Sequence, residues 1–320
     1  MRATCRPHIR LALALGPTLI ALAACLGAGG CVALQPPSIA RERVPGAELL
    51  VVAGQQVHVV EAGRGEPVLL LHGFGESTYT YRLVAPALAE RFHVIAVDLN
   101  GFGYTDRPRD PAAYTLEGQS RLVLGVLDAL AVERAHVVGH SYGGGLALWL
   151  AARHPERVRS LALVDSTLPR YSTSRRTRSA NLRPLTHVYL RTVAMRERYV
   201  RNVLENAYFD DALATPEVAR EYLQRLRIEG IDDAYYGLSA RNGEPSAEVD
   251  LARIDVPALL VWGEEDTLTP LAEGRSMAAG LRDARLVTIP RCGHVPMEEA
   301  PEPLLAALLP FLAGEVVPAR

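Results

Sequence analysis

The sequence contains no lysine; all 34 of its basic residues are arginine. Against 36 acidic residues they leave a net charge of −2, so the chain lacks the global basic field that nucleic-acid binding uses. Cysteine is scarce, with four in 320 residues, which excludes the disulfide framework of a small secreted scaffold. No Cys/His spacing typical of a zinc site is present. Internal repeats and low-complexity tracts are absent too, which excludes solenoids and arrays. What is there is a chain 49% hydrophobic and 22% charged, with no signature of disorder, collagen or coiled coil. Its length suffices for one sizeable core, or a core domain with a smaller insertion.

Charge is missing altogether between Leu11 and Ala40, directly after Arg2, Arg6 and Arg10. A positive start followed by the apolar run Leu11–Ala24 has the shape of a signal peptide. Leu22-Ala23-Ala24-Cys25 resembles the lipobox of bacterial lipoproteins. That resemblance implies cleavage after residue 24 and acylation of Cys25, and so a lipid-anchored catalytic domain in the bacterial cell envelope. Gly27 lacks the Asp associated with inner-membrane retention. An uncleaved signal anchor or ordinary secretion is the alternative, since the uncharged run is long enough to span a bilayer. Residues 25–46, rich in Pro and Gly towards their end, read as a tether.

Two β-rich runs, Leu49–Ala53 and Gln56–Glu61, meet at Gly54 as a hairpin. The pattern then alternates. Apolar runs at Val68–Leu71, His93–Val97, Ala135–Val138, Leu161–Val164, Ala258–Trp262 and Arg285–Ile289 read as strands. Helical periods at Leu83–Arg91, Leu116–Leu130, Leu146–Arg153, Glu273–Leu281 and Glu302–Leu312 lie between and after them. Strands apolar throughout, alternating with amphipathic helices, predict an α/β fold: a mostly parallel sheet covered on both faces. The interval 169–250 has helical periods and no strand run, so it reads as a helical cap inserted into a core formed by 47–168 and 251–320.

Gly139-His140-Ser141-Tyr142-Gly143 matches G-x-S-x-G. A strand that turns at once into a helix forces its central residue into a strained conformation, and bulky neighbours would collide there, hence Gly139 and Gly143. The apolar run before it and the small-residue helical pattern after it supply the setting this motif needs. Ser141 is then a nucleophile at a helix N-terminus, whose dipole favours a developing oxyanion. A serine at neutral pH needs a base, and the base an orienting carboxylate. Beyond Ser141 and its helix, which His154 closes, only His187 and His294 remain, and His187 falls in the cap. His294, in a glycine-flanked loop after the last strand, is the expected base. Asp266, four residues past Trp262, is the expected acid. Asp165 is the runner-up, whereas Asp98 precedes Ser141 in the chain. His72-Gly73-Phe74-Gly75 ends the strand Val68–Leu71, so the Phe74 and Tyr142 backbone N–H groups are the expected oxyanion donors. His72 and Cys292 read as structural.

Together these motifs resemble the α/β-hydrolase superfamily over nearly all of residues 48–313. The Asn100–Pro108 stretch resembles its capped branch, which holds epoxide hydrolases, haloalkane dehalogenases, carbon–carbon hydrolases and esterases. Ser141 stands where the first two groups carry Asp. The resemblance therefore implies cleavage of small-molecule esters through an acyl-enzyme, with no metal or organic cofactor. Carbon–carbon hydrolysis, perhydrolysis or acyl transfer by the same triad is the alternative, and a non-catalytic binding protein on a hydrolase scaffold the third reading. Between Arg170 and Arg201 nine Arg accompany one acid, Glu197. The sharper reading of that cluster is contact with anionic headgroups or an anionic substrate; the plainer one is a solvated helix face.

Overall fold

The apolar runs become an eight-stranded sheet in a computed structural model that describes residues 32–42, 48–169, 189–240 and 249–315. The strands are β1 (Glu48–Val52), β2 (Gln55–Ala62), β3 (Glu66–Leu71), β4 (Phe92–Val97), β5 (Ala135–His140), β6 (Val158–Val164), β7 (Ala258–Gly263) and β8 (Ala284–Ile289). Their spatial order is β1-β2-β4-β3-β5-β6-β7-β8. β2 runs antiparallel to both neighbours, and every other pairing is parallel. The predicted fold class, an α/β-hydrolase sheet flanked by helices, is what the structure shows.

The period of two explains why these strands carry no polar face. Leu69 and Leu71 pack into one core cluster and Val68 and Leu70 into another, on the opposite side of the sheet. Leu161 and Leu163 part from Ala162 and Val164 in the same way, and Leu260 and Trp262 from Leu259 and Val261. All six residues of β5 and all six of β7 are buried. Both faces are therefore covered by helices, as a parallel sheet requires.

In chain order the helices are α1 (Pro37–Glu42), α2 (Ala85–Ala89), α3 (Leu116–Ala129), α4 (Tyr142–Arg153), α5 (Glu197–Ala207), α6 (Pro216–Leu226), α7 (Ile231–Ala240), α8 (Leu271–Gly280), α9 (Pro296–Glu299) and α10 (Pro301–Leu312). The Thr115 hydroxyl caps α3 by accepting from Gly118 N, which fixes the start that periodicity alone placed. The helix expected over Leu83–Arg91 is shorter: a 3₁₀ turn at Thr78–Tyr81 precedes α2, whose start is set by Pro86. β1 and β2 meet at Ala53-Gly54, both with positive φ (49° and 81°), the tight reversal a short hairpin needs.

The cap lies between β6 and β7, and its described part is built mainly from α5, α6 and α7. Tyr208 and Tyr222, at the ends of α5 and within α6, each donate a 2.6 Å hydrogen bond to the buried Glu298 carboxylate of α9. This carboxylate also pairs with Arg82 at 2.8 Å. The cap is thus tied to the core beside the site. Part of the expected tether is docked as well. Gln35 bridges to Ile228, Val32 N donates to Arg191 O, and Arg41 pairs with Asp106 at 2.6 Å. Backbone pairing of this kind leaves no mark in a local sequence pattern. Cys25 and the expected signal peptide lie outside the described residues, as do His187 and Arg170–Arg183. No helix among the described residues is long and apolar enough to cross a membrane.

The chain leaves β3 for β4 on one side and then returns to place β5 on the other side of β3. The crevice beyond the carboxyl ends of β3 and β5 is therefore the topological switch point, where open α/β sheets bind ligands.

Candidate active site

Ser141 sits at that switch point, between β5 and α4. Its backbone has φ 48° and ψ −112°, a region non-glycine residues rarely occupy. The flanking glycines make this possible. A Cβ on Gly139 would lie 2.5 Å from Gly143 O, and one on Gly143 would lie 2.2 Å from Leu71 O. Gly144 N and Gly145 N both reach back to Ser141 O, so α4 starts on the serine itself. The elbow is the local outcome of apolar strand, serine and small residues in that order.

His294 occupies the loop between β8 and α9. Its Nδ1 is 2.7 Å from Asp266 Oδ2, in the loop after β7. The Asp266 carboxylate is fully used. Oδ1 accepts from Leu268 N (2.7 Å) and Thr269 N (3.0 Å), and Oδ2 accepts from the Thr269 hydroxyl (2.5 Å) as well as from His294. An Asp followed by residues that fold back on its own side chain is an Asx-type turn, so the sequence around Asp266 builds the acceptor site locally. Burial pushes this carboxyl up, but the His294 hydrogen bond and charge and the Thr269 donors outweigh it, bringing it down to about 2. An ionised Asp266 draws the ring proton to Nδ1 and leaves Nε2 of His294 unprotonated.

Asp165 lies beside this pair. Asp165, Asp266 and His294 each bring one donor atom within 4.8 Å of the others. Asp165 Oδ1 accepts from Gly263 N at 3.0 Å. Burial and the neighbouring Asp266 charge push the Asp165 carboxyl well above its ordinary range, opposite in direction to Asp266. Chain order left Asp165 open as the acid; the geometry puts Asp266, and not Asp165, against the imidazole.

Ser141 and His294 line one cavity of about 430 Å³ at the cap–core junction. Phe74 of the β3 loop lines it too, and its ring meets Tyr235 of α7 at 5.6 Å. Tyr142 opens α4 immediately after Ser141. The rest of the wall is mainly aliphatic and aromatic, and among the described residues that line the cavity none is Arg. Asp98 braces the crevice from beneath. It takes His58 Nδ1 at 2.7 Å, Thr78 N at 2.7 Å and Tyr104 N at 2.8 Å. His72 accepts from Leu99 N through Nε2 at 3.0 Å, a structural role. Cys292 is buried and its thiol is pushed up by burial, so it is no nucleophile. Of the arginine cluster, Arg191 pairs with Asp232 at 2.9 Å and Arg201 with Glu205 at 2.8 Å. Sequence reasoning did not single out Glu76 or the role of His140, whose partners are remote in the chain, nor Thr269, which meets Asp266 three residues away but Asp165 across 104 positions.

The family model for the alpha/beta hydrolase fold matches residues 66–301. The chain belongs to this family. Among curated relatives it is 33% identical to the 2-hydroxymuconate semialdehyde hydrolase of Pseudomonas sp. (strain CF600), over 81% of this chain and 88% of the relative. Among solved structures it is similar to a meta-cleavage product hydrolase of Pseudomonas fluorescens IP01, at TM-score 0.70 and 29% identity over 83% of this chain and 97% of that one. It is also similar to a membrane phospholipase A described as a bacterial virulence factor, at TM-score 0.68 and 27% identity over 95% of both chains. This α/β-hydrolase family member is therefore a hydrolase, and its relatives include enzymes that break carbon–carbon bonds.

Proposed function

We propose that this α/β-hydrolase cleaves carboxylic esters with uncharged, apolar acyl groups. Ser141 Oγ attacks the carbonyl carbon while His294 Nε2 takes its proton. Asp266 holds the imidazole and balances its charge. The backbone N–H groups of Phe74 and Tyr142 receive the oxyanion. His294 then gives the proton to the departing alcohol, and water repeats the cycle on the acyl-enzyme. The observation that carries the reading is the His294–Asp266 hydrogen bond of 2.7 Å in the wall of the cavity that holds Ser141.

The cavity supports the substrate class. The described wall, built largely from Leu190, Val200, Val203, Leu204, Leu226 and Ile231, offers hydrophobic burial to an acyl chain, and the Glu76 carboxylate on it disfavours an anionic one. The relatives include a 2-hydroxy-6-oxo-6-phenylhexa-2,4-dienoate hydrolase of Burkholderia cepacia, whose named substrate is a carboxylate. Carbon–carbon hydrolysis is the second reading, and the relatives favour it over the ester reading: semialdehyde and dienoate hydrolases recur among them, the first at 33% identity. The likeness to a membrane phospholipase A accords with an ester and, with the sequence of residues 1–25, with a lipid-anchored enzyme in the cell envelope acting on acyl lipids. The Arg170–Arg201 segment is then the part suited to anionic headgroups.

A panel of p-nitrophenyl esters from butyrate to palmitate, set beside that dienoate, separates the two. The expected result is kcat/KM for the preferred ester at least about 100-fold above that for the dienoate, because an unpaired buried carboxylate is rejected. Faster turnover of the dienoate would establish the carbon–carbon reading instead.

A further inference from the structure

Beside the catalytic pair lies a second acid–imidazole pair that the reaction does not consume. Glu76, in the loop after β3, places Oε2 2.9 Å from Nδ1 of His140, the residue before the nucleophile. The same oxygen accepts from Gly73 N at 2.7 Å, within its own loop. On its other side His140 Nε2 is 2.7 Å from the backbone carbonyl of His294. The His140 side chain is fully buried and that of Glu76 is 10% exposed. The His140 and His294 rings lie 4.9 Å apart, centroid to centroid.

Hydrogen-bond chemistry fixes the protons. A carbonyl oxygen only accepts, so Nε2 of His140 donates. An ionised Glu76 only accepts, so Nδ1 donates as well. With both ring nitrogens facing acceptors, His140 beside an ionised Glu76 is an imidazolium. Three segments converge on it: the loop that carries Phe74, the elbow that carries Ser141, and the loop that carries His294. We propose that the Glu76–His140 pair is a positioning unit for acyl transfer, one buried carboxylate–imidazolium that holds these three segments in register. The proposal rests on the serine-hydrolase reading. It explains why two ionisable side chains sit where desolvation is costly: each hydrogen bond reaches a different loop of the site.

The electrostatics agree. Burial lowers the proton affinity of His140, but the Glu76 charge and hydrogen bond and the His294 carbonyl raise it further, so the net direction is upward. Burial pushes Glu76 up, and His140 with Gly73 N brings it below its ordinary value. The groups facing His140 are Glu76 and His72 from the β3 end, Asp266 from the β7 loop and His294 itself. A group whose proton is held more tightly in the fold loses it as pH rises through the raised value. One of the two clasps then has no proton, and the rate falls on the alkaline side.

Glu76→Gln and Glu76→Leu test this through the rate at which a fluorophosphonate phosphonylates Ser141, a step in which fluoride leaves and the serine proton passes to His294. Gln still accepts from Gly73 N and can donate to His140, so it keeps the contacts and removes the charge. The expected result for Glu76→Gln is a near-normal rate with the alkaline fall lost, because a neutral His140 still accepts from Gln through Nδ1 and donates to the His294 carbonyl through Nε2. Glu76→Leu is expected to slow phosphonylation about 10- to 100-fold, with probe affinity unchanged, because small misplacement of reacting groups is costly in rate. Imidazole ¹⁵N resonances of the wild-type protein supply a readout free of substitutions, with both His140 nitrogens protonated at neutral pH. A wild-type rate in Glu76→Leu, an alkaline fall retained in Glu76→Gln, or a singly protonated His140 overturns the proposal. A wild-type protein that does not label at all overturns the serine-hydrolase reading, while the ¹⁵N result still decides the state of the pair.

Discussion

Asp266→Asn is expected to lower kcat about 10⁴-fold, the size of loss seen when the acid of such a relay is neutralised, while leaving the fold intact. The reason is the tautomer. Asp266 Oδ2 takes the Nδ1 proton of His294 at 2.7 Å and so keeps Nε2 free to act as base. An asparagine can donate to Nδ1 and drive the proton to Nε2, where it blocks the attack. The companion variant Asp165→Asn changes a carboxyl that does not touch the imidazole and whose acceptor contact is a backbone N–H, Gly263 N at 3.0 Å. Its kcat is expected to stay within about tenfold of wild type, because an amide of the same shape keeps that acceptor. Steady-state kinetics on an ester substrate check both. The opposite ranking would make Asp165 the working acid.

Gly143→Val is expected to cost more than about 3 kcal/mol and to lower Tm by roughly 6–12 °C in a domain of this size. The cause is steric. A single Cβ at Gly143 already falls 2.2 Å from Leu71 O and 2.6 Å from His72 O, and both are backbone atoms that cannot swing aside. Either α4 shifts away from β3 or the β3 loop is pushed outward. In both cases Ser141 and Phe74 move apart, so serine labelling is lost together with stability. Thermal unfolding measures the first effect and a fluorophosphonate probe the second. An unchanged Tm would mean that the elbow is laxer than these contacts require.

Much of this architecture was legible because it depends on short-range pattern. Fully apolar strands alternating with helices specify a covered parallel sheet, and a glycine-flanked serine between strand and helix specifies the elbow. His294 was found by elimination along the chain. Asp165 and Asp266 each follow a strand on the sheet's carboxyl edge, and chain order admits both; what separates them is the contact of Asp266 Oδ2 with His294 Nδ1, across 28 positions. What stayed hidden depends on distance. Glu76 and His140 are 64 positions apart, and His140 and the His294 carbonyl 154 apart. Residues 32–42 read as a free tether by composition, yet Gln35 joins Ile228 through backbone groups that every sequence possesses. The helix over Leu83–Arg91 was overextended because periodicity ignores Pro86, which sets the start of α2.

The most direct test of the central claim is labelling of the purified protein by a fluorophosphonate beside Ser141→Ala. The account predicts a labelled wild type, an unlabelled variant with the same Tm, and loss of ester turnover by about 10⁴-fold or more in that variant. Equal labelling of the two proteins, or ester turnover that survives Ser141→Ala, would contradict it.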